Sequence, residues 1–318
     1  MKRSLSVFLA ATLLAGCPEL PPGDITSPYY WSQVFLDKYE RELEVGTLEP
    51  GPARLEAPRA VLLITGVTIE AKWFDPIVAR LERDGFVPVM YEPPELLSYD
   101  LFQASEDLGD VVDRVLAETG QDKIDILAEC TGGLIARHYI QSLGGDAKVS
   151  RLVTFVSPQH GIPKAALAHD LVGWPALEDL TPGSDFLEAV NGVPLPDNLP
   201  VTSIYTCTDE YIQPYTTSII PGATNIGLCD GFVGHFQTFY DPSIYLVMHT
   251  ALTAPLPDDG RDPGTDPGTD PGTEPGSDDP VSGGCNSGAG GGQGAGLLLV
   301  GLALAIGVGR RRARVVRS

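Results

Sequence analysis

Basic side chains are scarce. Against 42 Asp and Glu there are 21 Lys and Arg in 318 residues, a formal charge of −21. The deficit belongs to the middle of the chain: Pro18–Pro257 holds 13 basic and 34 acidic residues (13 − 34 = −21), while the two ends together hold 8 of each (8 − 8 = 0). A strongly acidic domain with no basic face repels phosphate backbones, which excludes nucleic acid as a partner. Several chemistries also leave no trace. There is no P-loop, no H-E-x-x-H, no paired-cysteine zinc pattern and no G-x-G-x-x-G after the first predicted strand. Nucleotide cofactors are therefore disfavoured, and no cofactor or metal is expected. The acidic loops show no ordered spacing of calcium ligands. What is present in quantity is apolar residue, at 43%, enough to bury a core and to exclude global disorder.

The two ends differ in composition from the middle. Lys2-Arg3 precedes an apolar stretch, Leu5–Ala15, and then Gly16-Cys17, the order of an export signal. The string LLAGC resembles the lipobox of bacterial lipoproteins. That resemblance implies a signal over residues 1–17 and lipidation of Cys17, which would hold the protein on a membrane surface without spanning it. An ordinary secretory signal with a chance cysteine is the alternative. Residues 18–59 form an N-terminal extension. At the other end, the repeat DPGTDPGTDPGTEPG opens a linker over 258–284, polar throughout and expected to be extended. Cys285 then begins a tail with an apolar run, Ala295–Gly309, and the cluster RRRARVVR. Fifteen residues fall short of the ~20 needed to span a bilayer. Cysteine, apolar run and Arg cluster together resemble the sorting tails of myxobacterial surface proteins, which implies processing near Cys285; a plain C-terminal anchor is the alternative. Either way the central domain is expected outside the cytoplasm, at the outer membrane or cell surface, lipid-anchored and served by export and C-terminal processing machinery.

An oxidising compartment permits a disulfide. Once Cys17 and Cys285 are assigned to sorting, Cys130, Cys207 and Cys229 remain. Cys207 and Cys229 end predicted strands, and they are either bridged or two buried thiols. Cys130 is then the odd thiol, where a reactive cysteine is expected.

From Ala60 apolar strands alternate with helical spacing. Strands are predicted at Ala60–Gly66, Phe86–Pro93, Lys123–Cys130, Arg151–Pro158, Val201–Cys207 and Thr224–Cys229, and helices at Trp73–Gly85, Ala104–Thr119, Gly132–Leu143 and Pro242–Leu252. The pattern predicts an α/β domain over 60–257 with a mostly parallel sheet covered on both faces. Gly161–Leu199 breaks the alternation, as an insertion or lid would. In such sheets ligands bind at the carboxyl ends of the strands.

One such end carries Ala128-Glu129-Cys130-Thr131-Gly132, running straight into a helix. A strand–nucleophile–helix elbow strains its central residue and needs small neighbours two away, here Ala128 and Gly132. The following helix dipole would favour a Cys130 thiolate. Glu129 would oppose it, but strand alternation predicts a side chain pointing to the opposite side.

LLITG, DILAECTGGLIARHYI, LVTFVSPQHG, LTPGSDFLEAVN, YTCTDEYIQPYT and GATNIGLCDGFVGH, in this order, resemble secreted bacterial lipases and esterases of the α/β-hydrolase fold, with cysteine in place of serine. The resemblance implies a triad in which His235 deprotonates Cys130 and Asp209 orients His235. It also implies an oxyanion hole from the backbone N–H groups of Val67 and Thr131. His138, His160, His169 and His249 are read as packing or surface residues. Three positions depart from the family pattern: Cys130 for serine, Glu129 for the common histidine and Thr65 for histidine. Leu96, Leu97, Tyr99, Leu101 and Phe102, with the insertion, would line an acyl pocket or simply belong to the core. The implied activity is hydrolysis of lipid-like carboxylic esters through an acyl-enzyme. An acyltransferase or thioesterase using the same cysteine, and a catalytically silent lipid- or partner-binding surface protein, compete with it.

Overall fold

The structure, a computed structural model, describes residues 45–67, 69–93 and 100–257, together with the backbone of 314–317. The signal with Cys17, most of the N-terminal extension, Leu96, Leu97 and Tyr99, the repeat linker and Cys285 lie outside the described residues. No described helix is long and apolar enough to cross a membrane.

Strands β1 (Arg59–Ile64), β2 (Phe86–Glu92), β3 (Ile124–Glu129), β4 (Val149–Phe155), β5 (Val201–Thr206) and β6 (Thr224–Leu228) are parallel, and β7 (Arg314–Arg317) adds antiparallel to β2. The order across the sheet is β6-β5-β4-β3-β1-β2-β7. β1 reads RAVLLI with every residue after Arg59 fully buried, the continuous apolar run of a strand covered on both faces. On one face pack α2 (Leu101–Thr119) and α3 (Thr131–Ser142). The other takes α1 (Asp75–Arg83), α7 (Gln237–Tyr240) and α8 (Pro242–Thr253). Register brings Ile64 beside Ala128, Glu129 beside Phe155, and Phe155 beside Ile204. The carboxyl ends of four strands therefore open onto one edge.

Boundaries moved where caps decide them. α2 starts at Leu101, three residues before its predicted start, because the Asp100 carboxylate accepts from the Phe102 and Gln103 N–H groups. α1 starts at Asp75 with Pro76 in its first turn, where a missing N–H costs nothing, and Ala71–Phe74 form a 3₁₀ turn before it.

The predicted insertion folds into α4 (Ala165–Val172), α5 (Pro175–Asp179) and α6 (Asp185–Gly192). Only α4 is peripheral, with Leu167 and Leu171 exposed. α5 and α6 bury Ala176, Leu177, Phe186, Leu187 and Val190 in the core. Leu101 is core as well, and the Phe102 ring packs edge-on against His138 and Phe186.

Asp179 ties the insertion to α2 by accepting the Leu101 N–H at 2.8 Å. Burial pushes its carboxyl up to about 6, the Leu101 N–H pulls the other way, and Asp100, Glu178 and Asp185 add to the rise. The native state thus holds this proton more tightly than the unfolded chain, so its contribution to stability is present at low pH and lost as pH rises through about 6. Asp179→Asn keeps an acceptor for Leu101 without the charge. It is expected to raise Tm at about pH 8, with the gain vanishing towards about pH 4, in thermal unfolding across that range.

Candidate active site at the carboxyl edge of the sheet

Cys130 has φ 48° and ψ −122°, strained geometry for a residue with a side chain. Gly132 lets α3 begin against the end of β1: a Cβ there would lie 2.9 Å from the Ile64 carbonyl oxygen and 3.0 Å from that of Thr65. Gly66 is equally constrained, since its Cβ would meet Glu129 Oε2 at 2.4 Å and Cys130 Cβ at 2.5 Å. The backbone N–H groups at Val67 and Thr131 therefore belong to the loop after β1 and to the first turn of α3, which touch at the elbow.

A second strained residue follows β4. Val156 has φ 43°, a rare value for a β-branched side chain. The turn brings Ser157 beneath the elbow, where its hydroxyl donates to the Cys130 carbonyl. Gln159 Nε2 donates to Ser157 Oγ (2.7 Å), and Arg137 of α3 donates to Gln159 Oε1 (2.9 Å). This buried chain braces the elbow from below. The string SPQHG contributes to the family resemblance, but nothing local in it marks these roles.

Asp209 and His235 meet. Asp209 Oδ2 lies 2.8 Å from His235 Nδ1, both residues 3% exposed. Asp209 Oδ1 accepts from the Tyr211 and Ile212 N–H groups, each at 2.8 Å, which fixes the carboxylate plane. Its neighbour Glu210 serves the backbone instead, since Glu210 Oε2 accepts the N–H of His235 at 2.8 Å. The two loops are joined further by a Cys207–Cys229 disulfide and by Thr208 Oγ1, which exchanges hydrogen bonds with the Val233 backbone at 2.9 Å.

Glu129 is a correction. Its side chain points into the site. Oε1 lies 3.0 Å from His235 Nε2, and Oε2 accepts the Gly66 N–H at 2.7 Å. Asp125, Leu127 and Glu129 share one strand face by period-2 alternation, and Leu127 belongs to the same core cluster as Phe236, next to His235. The positive φ at Cys130 breaks that alternation, so consecutive residues face one imidazole instead of opposite sides. Glu129, Cys130 and His235 each bring a ligating atom within 4.8 Å of the others.

The electrostatics follow. Burial and the Glu129 charge push the Cys130 thiol up, while His235 pulls it down. The resting group is a thiol, against the thiolate expected from the helix dipole. Burial acts to lower the His235 pKa, but Asp209, Cys130 and Glu129 outweigh it and carry it well above the ordinary imidazole value. Burial raises Glu129, opposed by His235 and the Gly66 N–H. His235 thus lies between the side chains of Asp209 and Glu129, both of which favour its protonated form.

The other histidines stand apart. His138 packs between Phe102 and Phe186, His160 Nε2 meets the Ile219 carbonyl, His169 Nδ1 meets the Trp174 carbonyl, and His249 lies 4.0 Å from Asp84.

No family model matches the chain. It is 26% identical over 188 residues to Lipase B of Pseudozyma antarctica, which covers 55% of this chain and 53% of that protein. The chain thus spans about half the length of the curated relative it matches. Among solved structures it is similar to a Bacillus licheniformis lipase in mature form (TM-score 0.53, 16% identity, 65% of this chain and 96% of that one). It is also similar to Aspergillus fumigatus lipase B (TM-score 0.55, 18% identity, 64% and 54%). The fold is the α/β-hydrolase fold, shared with lipases.

Proposed function

We propose that the chain is an exported carboxylic ester hydrolase that acts through an acyl group carried on Cys130. The observation that carries this reading is the buried Asp209–His235 pair, 2.8 Å apart, beside a strained Cys130 elbow. Likeness to a protein named as a lipase supports an ester substrate with a lipid-like acyl chain. Lipidation at Cys17 and processing near Cys285 would place the enzyme at a membrane surface.

The reaction begins with Glu129 holding His235 Nε2. Substrate entry would shift that contact with the Nε2 proton passing to Glu129, so that neutral Nε2 then takes the Cys130 proton, while Asp209 keeps Nδ1–H in place and supports the imidazolium. The thiolate attacks the ester carbonyl, and the Val67 and Thr131 N–H groups receive the oxyanion. The C–O bond breaks as Nε2–H protonates the leaving alcohol. Water, deprotonated by Nε2, then attacks the thioester, releasing the acid and returning the proton to Cys130. A thiolate is also a good leaving group, so activated esters and thioesters would lose least to reversal.

The test is turnover of p-nitrophenyl esters of short, medium and long acyl chains by the purified full-length chain, with intact mass spectrometry. A reductant mild enough to spare Cys207–Cys229 keeps Cys130 as a thiol. Turnover with one acyl adduct, mapped to Cys130, is expected. No turnover and no adduct on any ester or thioester would remove the hydrolase reading.

A further inference from the structure

We propose that Glu129, Cys130 and His235 form a binding site for a zinc ion. Their ligating atoms lie within 4.8 Å of one another. In a tetrahedral zinc site, bonds of about 2.0 to 2.3 Å leave the ligand atoms about 3 to 4 Å apart, so a closure of about an ångström seats the ion.

The outer shell is already built. A ligating histidine needs its other ring nitrogen held, and Asp209 holds His235 Nδ1 at 2.8 Å, which leaves Nε2 as the donor. The Gly66 N–H occupies Glu129 Oε2, so Oε1, 3.0 Å from His235 Nε2, is the oxygen an ion would take once it replaces the proton between the two. Asp209 is in turn fixed by the Tyr211 and Ile212 N–H groups. Glu129 is fully buried and His235 nearly so, whereas Cys130 is half-buried. Three protein ligands would then hold the ion, with Cys130 the least buried of them.

Donor chemistry selects the metal. One thiolate with one imidazole suits zinc, whereas magnesium and calcium ask for oxygen alone. Charge agrees: the Cys130 thiolate and Glu129 carboxylate neutralise a dication with His235 neutral. Binding transfers the Cys130 thiol proton, and a proton held on Nε2, to solvent. No sequence spacing announces this site, because 129 and 130 are adjacent and 235 is 106 positions from Glu129.

The functional consequence rests on the hydrolase reading. Zinc would occupy the nucleophile and the base together, so the loaded protein cannot form an acyl-enzyme, and a chelator restores it.

Cobalt(II) is the probe, titrated into the purified full-length chain and then displaced by zinc. A thiolate-to-cobalt charge-transfer band is expected, saturating at one equivalent and lost in Cys130→Ser. Glu129→Gln and His235→Ala are expected to weaken the affinity by about tenfold or more, with unchanged far-UV circular dichroism. A band that survives Cys130→Ser, or no band at all, overturns the site. A cobalt affinity unchanged in both Glu129→Gln and His235→Ala does so too. The band needs no turnover, so a chain that binds cobalt through Cys130 but hydrolyses no ester keeps the metal site and loses the hydrolase. In the active chain, one equivalent of zinc is expected to stop ester turnover and a chelator to return it.

Discussion

Cys130→Ala is expected to lower ester turnover by about 10⁴-fold or more, the scale on which removal of a nucleophile acts. The change deletes one sulfur atom and leaves the rest of the elbow supported. Cys130 N–H donates to the Phe155 carbonyl, its own carbonyl accepts from Ser157, and Gly132 still packs on the end of β1. None of these contacts uses the side chain, so Tm should barely move while activity disappears. Steady-state kinetics with a thermal melt of the same preparation separates the two. Turnover that persists in the alanine variant would mean that His235 activates water directly or that Glu129 takes the acyl group. The ester hydrolase would then stand without its cysteine mechanism.

The second large effect is expected at Asp209→Asn. One oxygen of Asp209 is committed to the Tyr211 and Ile212 N–H groups, both at 2.8 Å. An asparagine satisfies those donors only with its carbonyl oxygen, which turns its NH₂ towards His235 Nδ1. The imidazole must then carry its proton on Nε2, the tautomer that cannot accept a proton from Cys130. A loss of about 10⁴-fold in kcat is expected at unchanged fold, the size of this change where a triad aspartate is replaced. Losing the Asp209 charge also removes the first of the influences that raise His235, so its titration should move down, read by NMR of the ring. An Asp209→Asn variant with near-native kcat would assign the orienting role elsewhere, with Glu129 the first candidate because it holds the other ring nitrogen. Glu210 is the weaker one, since it grips only the His235 backbone.

The two effects bear on how much of this molecule could be read from residues alone. Strand and helix order was legible because burial on both faces imposes a continuous apolar run on β1, and because helical spacing marks α2. The elbow was legible as well, since a strained turn between strand and helix tolerates only small neighbours, and Gly132 meets the end of β1 directly. Asp209 and His235 were named through the family resemblance, each in the segment after a strand. That resemblance implied the contact between the Asp209 carboxylate and the His235 ring, 2.8 Å apart, but nothing in it showed that Glu210 would take the His235 backbone.

What the tertiary structure alone decided is the company Cys130 keeps. Period-2 alternation sends Glu129 and its successor to opposite faces, and that rule fails at a residue with φ 48°. The acidic side chain thereby reaches His235 and Gly66, raises the thiol and completes a set of metal-ligating atoms. The brace formed by Ser157, Gln159 and Arg137 is of the same origin, as is the insertion whose helices α5 and α6 turned out to be core. Local sequence determines which residues repeat on a face and which turns they permit. Contacts between positions 26 or 106 apart are settled only when the sheet brings its strand ends to one edge, because their free energy comes from burial and charge shared across elements rather than from any spacing along the chain.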